Sequence, residues 1–256
     1  MNAALVLQLA RQDLLDRYAG SMLGGFWTFV QPLLNMLVFI LVFSQIMQAR
    51  LPAVTAGAHS YSVYLIAGLL GWIAFSSTLL RTTTMFIDQG GLIKKVPLEL
   101  TVFPLAIVLS DTVVFVISFG LFSLYLLIIS HPFTPAMLWV PIAFALQQAF
   151  AVNLGIVLGA LSVFYRDIKE GVSVLLQLWF WLTPIVYVVE ILPDWVQPLL
   201  WLNPMYPVVD TYHNAVLFGE VTAPQRLLPL VVVAALSFVA GRWLLRRLES
   251  DIRDLV

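Results

Sequence analysis

Between Asp111 and Arg166 the chain carries no Asp, Glu, Lys or Arg. That run is too long for one membrane crossing, which takes about 20 apolar residues. His131, Pro132 and Pro135 interrupt it near its middle, so it reads as two helices joined by a tight turn. Four further runs have the same character. Phe26 to Met47 has no charged side chain. Tyr61–Leu80 is closed by Arg81, and Gly171–Val189 has Pro184 as an expected kink. Leu227–Gly241 extends to Leu245 if Arg242 snorkels. A soluble domain has about 25% charged residues; this chain of 256 has 11%, with mean hydropathy +0.96. The expected fold is an all-α integral membrane protein of six spans, 26–49, 61–86, 102–130, 136–164, 171–189 and 226–245. They form one transmembrane domain over 1–256 that leaves no room for a separate soluble unit.

The segments outside these runs set the orientation. Residues 3–20 have the helical period. Ala3, Val6, Leu7, Ala10, Leu14 and Tyr18 share one face, and Gln8, Gln12, Asp13 and Asp16 the other. Asp13 precedes Arg17 by four residues, the favourable order for a helix pair. Gly20, Ser21, Gly24 and Gly25 then loosen the backbone before the first span. The reading is an amphipathic helix lying on the membrane surface and leading into a crossing. A secretory signal does not fit, because the apolar segment is too long and acids precede it. Of the 13 Lys and Arg, only Arg50 and Arg226 fall on one side of the resulting topology. Arg11, Arg17, Arg81, Lys94, Lys95, Arg166, Lys169, Arg242, Arg246, Arg247 and Arg253 fall on or near the other, so both termini are expected in the cytoplasm. Residues 190–225 are then external. They hold Pro193, Pro198, Pro204, Pro207 and Pro224, and their apolar pieces Trp195–Leu202 and Val208–Phe218 are too short to cross. Two short re-entrant helices fit such lengths. Residues 88–99 must leave the hydrocarbon and read as a loop with a short helical piece around Leu92–Val96.

Little in the sequence supports catalysis. There is no G-x-x-x-x-G-K-[ST] and no H-E-x-x-H, and His59, His131 and His213 lie in separate segments. With no cysteine, thiol chemistry and disulfides are excluded. A net charge of −1 gives no reason to expect nucleic acid. Asp194 and Asp210 read as solvated acids. Asp111 stands against a long apolar run; the expectation is a place near the cytoplasmic interface rather than a buried functional acid. Gly155-x-x-x-Gly159 lets two helices approach closely, within the chain in the first instance and at a dimer seam in the second. Arg166 and Asp167 are expected to cap a helix end. Trp195 and Trp201 suit an interfacial belt. Trp179, Phe180 and Trp181 sit deeper, where aromatic faces could serve either helix packing or the passage of sugar rings.

Taken together, R-x-D-L-x-x-R-Y-x-x-S-x-L-G-x-x-W-x-x-x-x-P from Arg11 to Pro32 resembles the opening of the permease subunit of polysaccharide ABC exporters, the ABC-2 type. The O-antigen class is nearest. The resemblance continues in order through FSQIMQARLP (43–52), FIDQGGLIKK (86–95), VFYRDI (163–168), WFWLTPIVY (179–187) and LNPMYPVVDTYHN (202–214). It implies a non-enzymatic subunit that forms a homodimer and works with two copies of a separate P-loop ATPase. That partner would bind the ATP and Mg, leaving no cofactor in this chain. It implies export of undecaprenyl-pyrophosphate-linked polysaccharide across the bacterial inner membrane, with teichoic acid, capsule or another substrate as the alternative cargo. By position, Arg11, Asp13, Asp16 and Arg17 with Leu92, Ile93, Lys94 and Lys95 would couple to the ATPase, the loop 88–100 acting as coupling loop. Trp27, Gln31, Asn35, Trp179, Trp181 and Tyr187 would line the channel. Arg11 and Arg17 would meet the lipid head group at its entry.

Overall fold

The computed structural model describes residues 3–17, 20–22, 24–42, 60–96 and 98–256. Tyr18, the end of the first expected span at 43–49, the motif at 43–52 and the loop with Arg50, Pro52 and His59 lie outside the described residues. The helices are α1 (Ala3–Asp16), α2 (Trp27–Phe39), α3 (Ser60–Asp88), α4 (Gly90–Lys95), α5 (Val102–Ile128), α6 (Trp139–Ser162), α7 (Ile168–Leu182), α8 (Tyr206–His213) and α9 (Leu228–Leu255). Among the described residues, five helical segments have the length and apolar content to cross a membrane: Gly24–Val42, Tyr61–Asp88, Val102–Ile128, Pro135–Ser162 and Pro224–Leu255.

The bundle is built around α3, 78% of whose most apolar window is buried. Small residues let neighbours approach it. A Cβ at Gly155 of α6 would lie 2.6 Å from Thr82 Cβ, and one at Gly159 would lie 2.6 Å from the Thr82 carbonyl oxygen. The small-x-x-x-small pair therefore serves packing within the chain. Hydrogen bonds stitch the same seam: Gln147 Nε2 donates to the Gly71 carbonyl (3.0 Å), Gln148 Nε2 to Thr78 Oγ1 (3.0 Å) and Ser162 Oγ to the Thr83 carbonyl (2.7 Å). Such bonds between apolar helices are worth about 0.6 kcal/mol each. The hydroxyls of Thr82 and Thr83 bond back to their own helix, at Thr78 (2.6 Å) and Leu79 (2.8 Å), so they add no unsatisfied polar group.

The expected fifth span, 171–189, is not one kinked helix. Pro184 forces the residue before it out of the helical region, and Thr183 is extended (φ −107°, ψ 130°), so α7 ends after 15 residues. At 1.5 Å per residue α7 is about 22 Å long, short of a hydrocarbon core of about 30 Å. The chain continues beside the N-terminal end of α3. Ile185 packs on Gly68. The Tyr64 hydroxyl donates to the Tyr187 carbonyl (2.9 Å), and the Tyr61 hydroxyl donates to the Val186 carbonyl (2.6 Å).

In 190–225 the two short pieces differ. Gln197–Leu202 is a 3-10 turn with Trp201 at its surface, whereas α8 is buried along nearly its whole length. A Cβ at Gly68 would lie 2.7 Å from His213 Nε2, and one at Gly71 would lie 3.0 Å from the Tyr212 ring. Those glycines sit about 12 and 17 Å along α3 from its first residue. Two smaller expectations change. Asp167 takes the N-cap position of α7 without a side-chain bond. Asp210 is not simply solvated: its carboxylate is only 18% exposed and accepts from Asn214 Nδ2 (3.0 Å) and Arg226 (3.5 Å).

Candidate functional site

The stripe of α1 that meets the bundle runs Val6, Ala10, Asp13, Arg17, spaced by three and four residues. Val6 and Ala10 are buried. Leu7 and Leu15 stand on the other side, exposed. Asp13, expected among the outward polar residues, is instead the polar end of the inward stripe. The reason lies in the partners it finds. Its carboxylate binds Arg81 of α3, and its second oxygen lies 3.4 Å from Arg17 Nε. Arg17 and Arg81 both converge on Asp111 of α5; Arg81 Nη1 is 2.7 Å from Asp111 Oδ1, and Arg17 Nη2 bonds the same oxygen. Thr78 Oγ1 donates to Asp111 Oδ2 at 2.8 Å, and Ser110 Oγ accepts from both arginines at 3.1 and 3.3 Å.

Asp111, expected near the cytoplasmic interface rather than as a buried acid, is 3% exposed, a buried and fully engaged carboxylate. Two acids and two arginines cancel in charge. That cancellation is what allows ionised groups inside an apolar bundle, where an unpaired charge would cost several kcal/mol. The cluster therefore joins α1, α3 and α5, three elements far apart in sequence, at one electrostatic knot. Sequence reasoning misses Thr78 and Ser110, and sees Arg81 as a charge that closes a span and marks its side, not as a partner of Asp111.

Cavities flank the knot. One, of about 200 Å³, is lined by Gln31 and Asn35 of α2 together with Arg17, Ser77 and Asp111. The other, of about 370 Å³, lies among α1, α3, the α4 turn and α5, lined by Asp13, Asp16, Arg81, Asp88 and Leu92. On α4, Ile93 is buried and Leu92 packs in the same apolar cluster, while Lys94 and Lys95 are exposed. Arg11 and Asp16 are also exposed. Four coupling candidates (Arg11, Asp16, Lys94, Lys95) thus face outward, and Asp13 and Arg17 face inward.

The channel candidates separate as well. Trp27 is half-buried, and Gln31 and Asn35 face the smaller cavity. Trp181 is exposed, and the Tyr187 hydroxyl donates to its carbonyl at 3.0 Å. Trp179 points into the bundle, edge-on to Phe75 at 5.3 Å, with its Nε1 donating to Asn203 Oδ1 at 2.7 Å. Asn203 also donates to Thr183 Oγ1 at 2.8 Å and so ties the turn before α8 to the end of α7.

Residues 4–217 match the family model of the ABC-2 type transporter. The chain is 32% identical over 237 residues to the O-antigen export system permease protein RfbA of Myxococcus xanthus, covering 92% of this chain and 87% of that one. Identity to the O-antigen export system permease protein RfbA of Klebsiella pneumoniae is 28% over 218 residues, 84% and 81% of the two chains. Identity to the polysialic acid transport protein KpsM of Escherichia coli is 21% over 240 residues, 93% and 91%.

Proposed function

Since the chain belongs to the ABC-2 type transporter family, we propose that it is the channel-forming permease of an ATP-driven exporter of O-antigen-type polysaccharide. The cargo is carried on undecaprenyl pyrophosphate and crosses the bacterial inner membrane. The observation that supports this best is the cavity that α1 and α4 share, lined by Asp16 of one and Leu92 of the other. Arg11 and Asp16 on α1 and Lys94 and Lys95 on α4 are exposed. A short helix fixed in a loop between spans is suited to pass the motion of a docked ATPase into the bundle. Two copies of the ATPase would serve two copies of this chain, with ATP and Mg held entirely by the partner. Asp13 and Arg17 would act behind that surface by fastening α1 to the spans.

In this reading the basic end of the bundle is cytoplasmic. α7 and the extended segment to Tyr187 make the remaining crossing beside α3, and α8 re-enters from the outside. The channel lies between two copies, with Trp27, Gln31, Asn35, Trp181 and Tyr187 toward it and Trp179 supporting α7 from behind. Arg11 stands at the head-group entry; Arg17 reaches that region only through the cavities it lines. The greater identity to the two RfbA proteins than to KpsM favours O-antigen over polysialic acid.

A mild-detergent pull-down of the tagged chain should bring a stoichiometric P-loop ATPase. An exposed charge contact is worth up to about 1 kcal/mol, so reversing both in Lys94→Glu plus Lys95→Glu should cut its recovery roughly tenfold. A chain that transports on an ion gradient with no partner, or that transfers sugar alone, would overturn the proposal.

A further inference from the structure

Residues 228–255 lie beyond the family match, and the last part of α9 is not uniformly polar. From Arg242 onward charges crowd in, yet the helix continues to Leu255. It carries an apolar stripe, Leu245, Leu248 and Ile252, at spacings of three and four residues. Ile252 is fully buried, in one cluster with Ile93 of α4 and Phe103 of α5.

α4 has only six residues and no side-chain cap, far below the length of about 12–15 at which a helix holds by itself. Its shape must come from what it packs on. At its start, a Cβ on Gly90 would lie 3.1 Å from the backbone carbonyl carbon of Val256, so Val256 sits in close contact with the first turn of α4. Beyond its end, Arg253 Nη2 donates to the Leu98 carbonyl at 2.5 Å. Ile93 is clamped between these two points. We infer that residues 249–256 are a positioning element for the coupling loop: they grip α4 before and after the exposed lysines and bind it to α9. The inference rests on the proposed docking of an ATPase at α4.

The sequence contains no cysteine, so a spin label at Gly91→Cys, where the space is open, reports on α4 alone. In the full chain in lipid nanodiscs, Ile252→Asp and Arg253→Ala should each mobilise that label, and Arg253→Ala should do so without lowering the thermal midpoint of the bundle. Ile252→Leu and Arg253→Lys should restore it. In the reconstituted exporter, transport per ATP hydrolysed should fall roughly 2- to 30-fold, the usual range for a perturbed coupling route, while the ATPase still co-purifies. A label equally immobile in Ile252→Asp, or transport per ATP unchanged, would overturn the inference and leave the exporter reading intact. A label that mobilises in a chain that recruits no ATPase would overturn the exporter reading and keep the mechanical link.

Discussion

Replacing Asp111 by asparagine should release α1 from the bundle while leaving the spans folded. Asp111 is the common acceptor for Arg17 and Arg81, and at 3% exposure it has no water to fall back on. Without its charge the two guanidinium groups share only Asp13, itself 27% exposed. Removing one member of a buried ionic group costs roughly 3–5 kcal/mol, mostly from the charge left unpaired. The cost falls on the weakest attachment, which is α1: its buried apolar anchors are Val6 and Ala10, whereas α3 and α5 pack along their length. A thiol introduced by Val6→Cys in this cysteine-free chain reads the release directly. A loss of about 3 kcal/mol in closing α1 should raise its maleimide labelling roughly a hundredfold. Arg17→Met should do less, because Asp111 keeps Arg81. Asp13→Asn and Arg81→Gln should be non-additive, with a coupling of about 0.5–3 kcal/mol. Additive effects, or labelling of the Val6→Cys thiol unchanged by Asp111→Asn, would mean that the knot does not hold α1.

The spans are legible because the signal is compositional: a run without charge between Asp111 and Arg166 permits few other folds. Gly155 and Gly159 are legible because their spacing alone puts both on one helix face. The partners of Asp111 are not. Arg17 stands 94 positions away from it, and periodicity tells which face a residue occupies, never which distant residue meets it. Asp13 sorts outward on a helical wheel because the wheel separates residues by polarity, and an ion pair between elements breaks that sorting. The end of α7 is half legible. Pro184 is visible in the sequence, but its stronger consequence, the extended Thr183 before it, turns an expected kink into a stop. The stripe Leu245, Leu248, Ile252 is present in the sequence and hidden by the charges around it. The family match accounts for the transporter class; the exposed faces of α1 and α4 carry the coupling proposal.

Adding a single methyl group at Gly159 should destabilise the protein although it removes no contact. The added carbon would lie 2.6 Å from the carbonyl oxygen of Thr82 and 3.5 Å from that of Thr83. Backbone atoms of a packed helix cannot rotate aside, so α6 and α3 must separate. Overpacking of this kind costs about 1–3 kcal/mol, and here the separation has further consequences. It stretches the Ser162 bond to the Thr83 carbonyl and the Gln148 bond to Thr78. Thr78 in turn donates to Asp111, so the strain in the seam reaches the knot that holds α1. Gly120 provides the comparison. It also lies within a helix, but nothing stands within 4 Å of its would-be Cβ, and alanine there should stabilise the helix by up to about 1 kcal/mol. Thermal midpoints in detergent should therefore place Gly120→Ala at or above the wild type and Gly159→Ala well below it. In the Val6→Cys background, maleimide labelling should rise with Gly159→Ala and stay unchanged with Gly120→Ala. A Gly159→Ala protein as stable as Gly120→Ala would show that α3 and α6 do not touch at Thr82, and the route from seam to knot to α1 would fail with it.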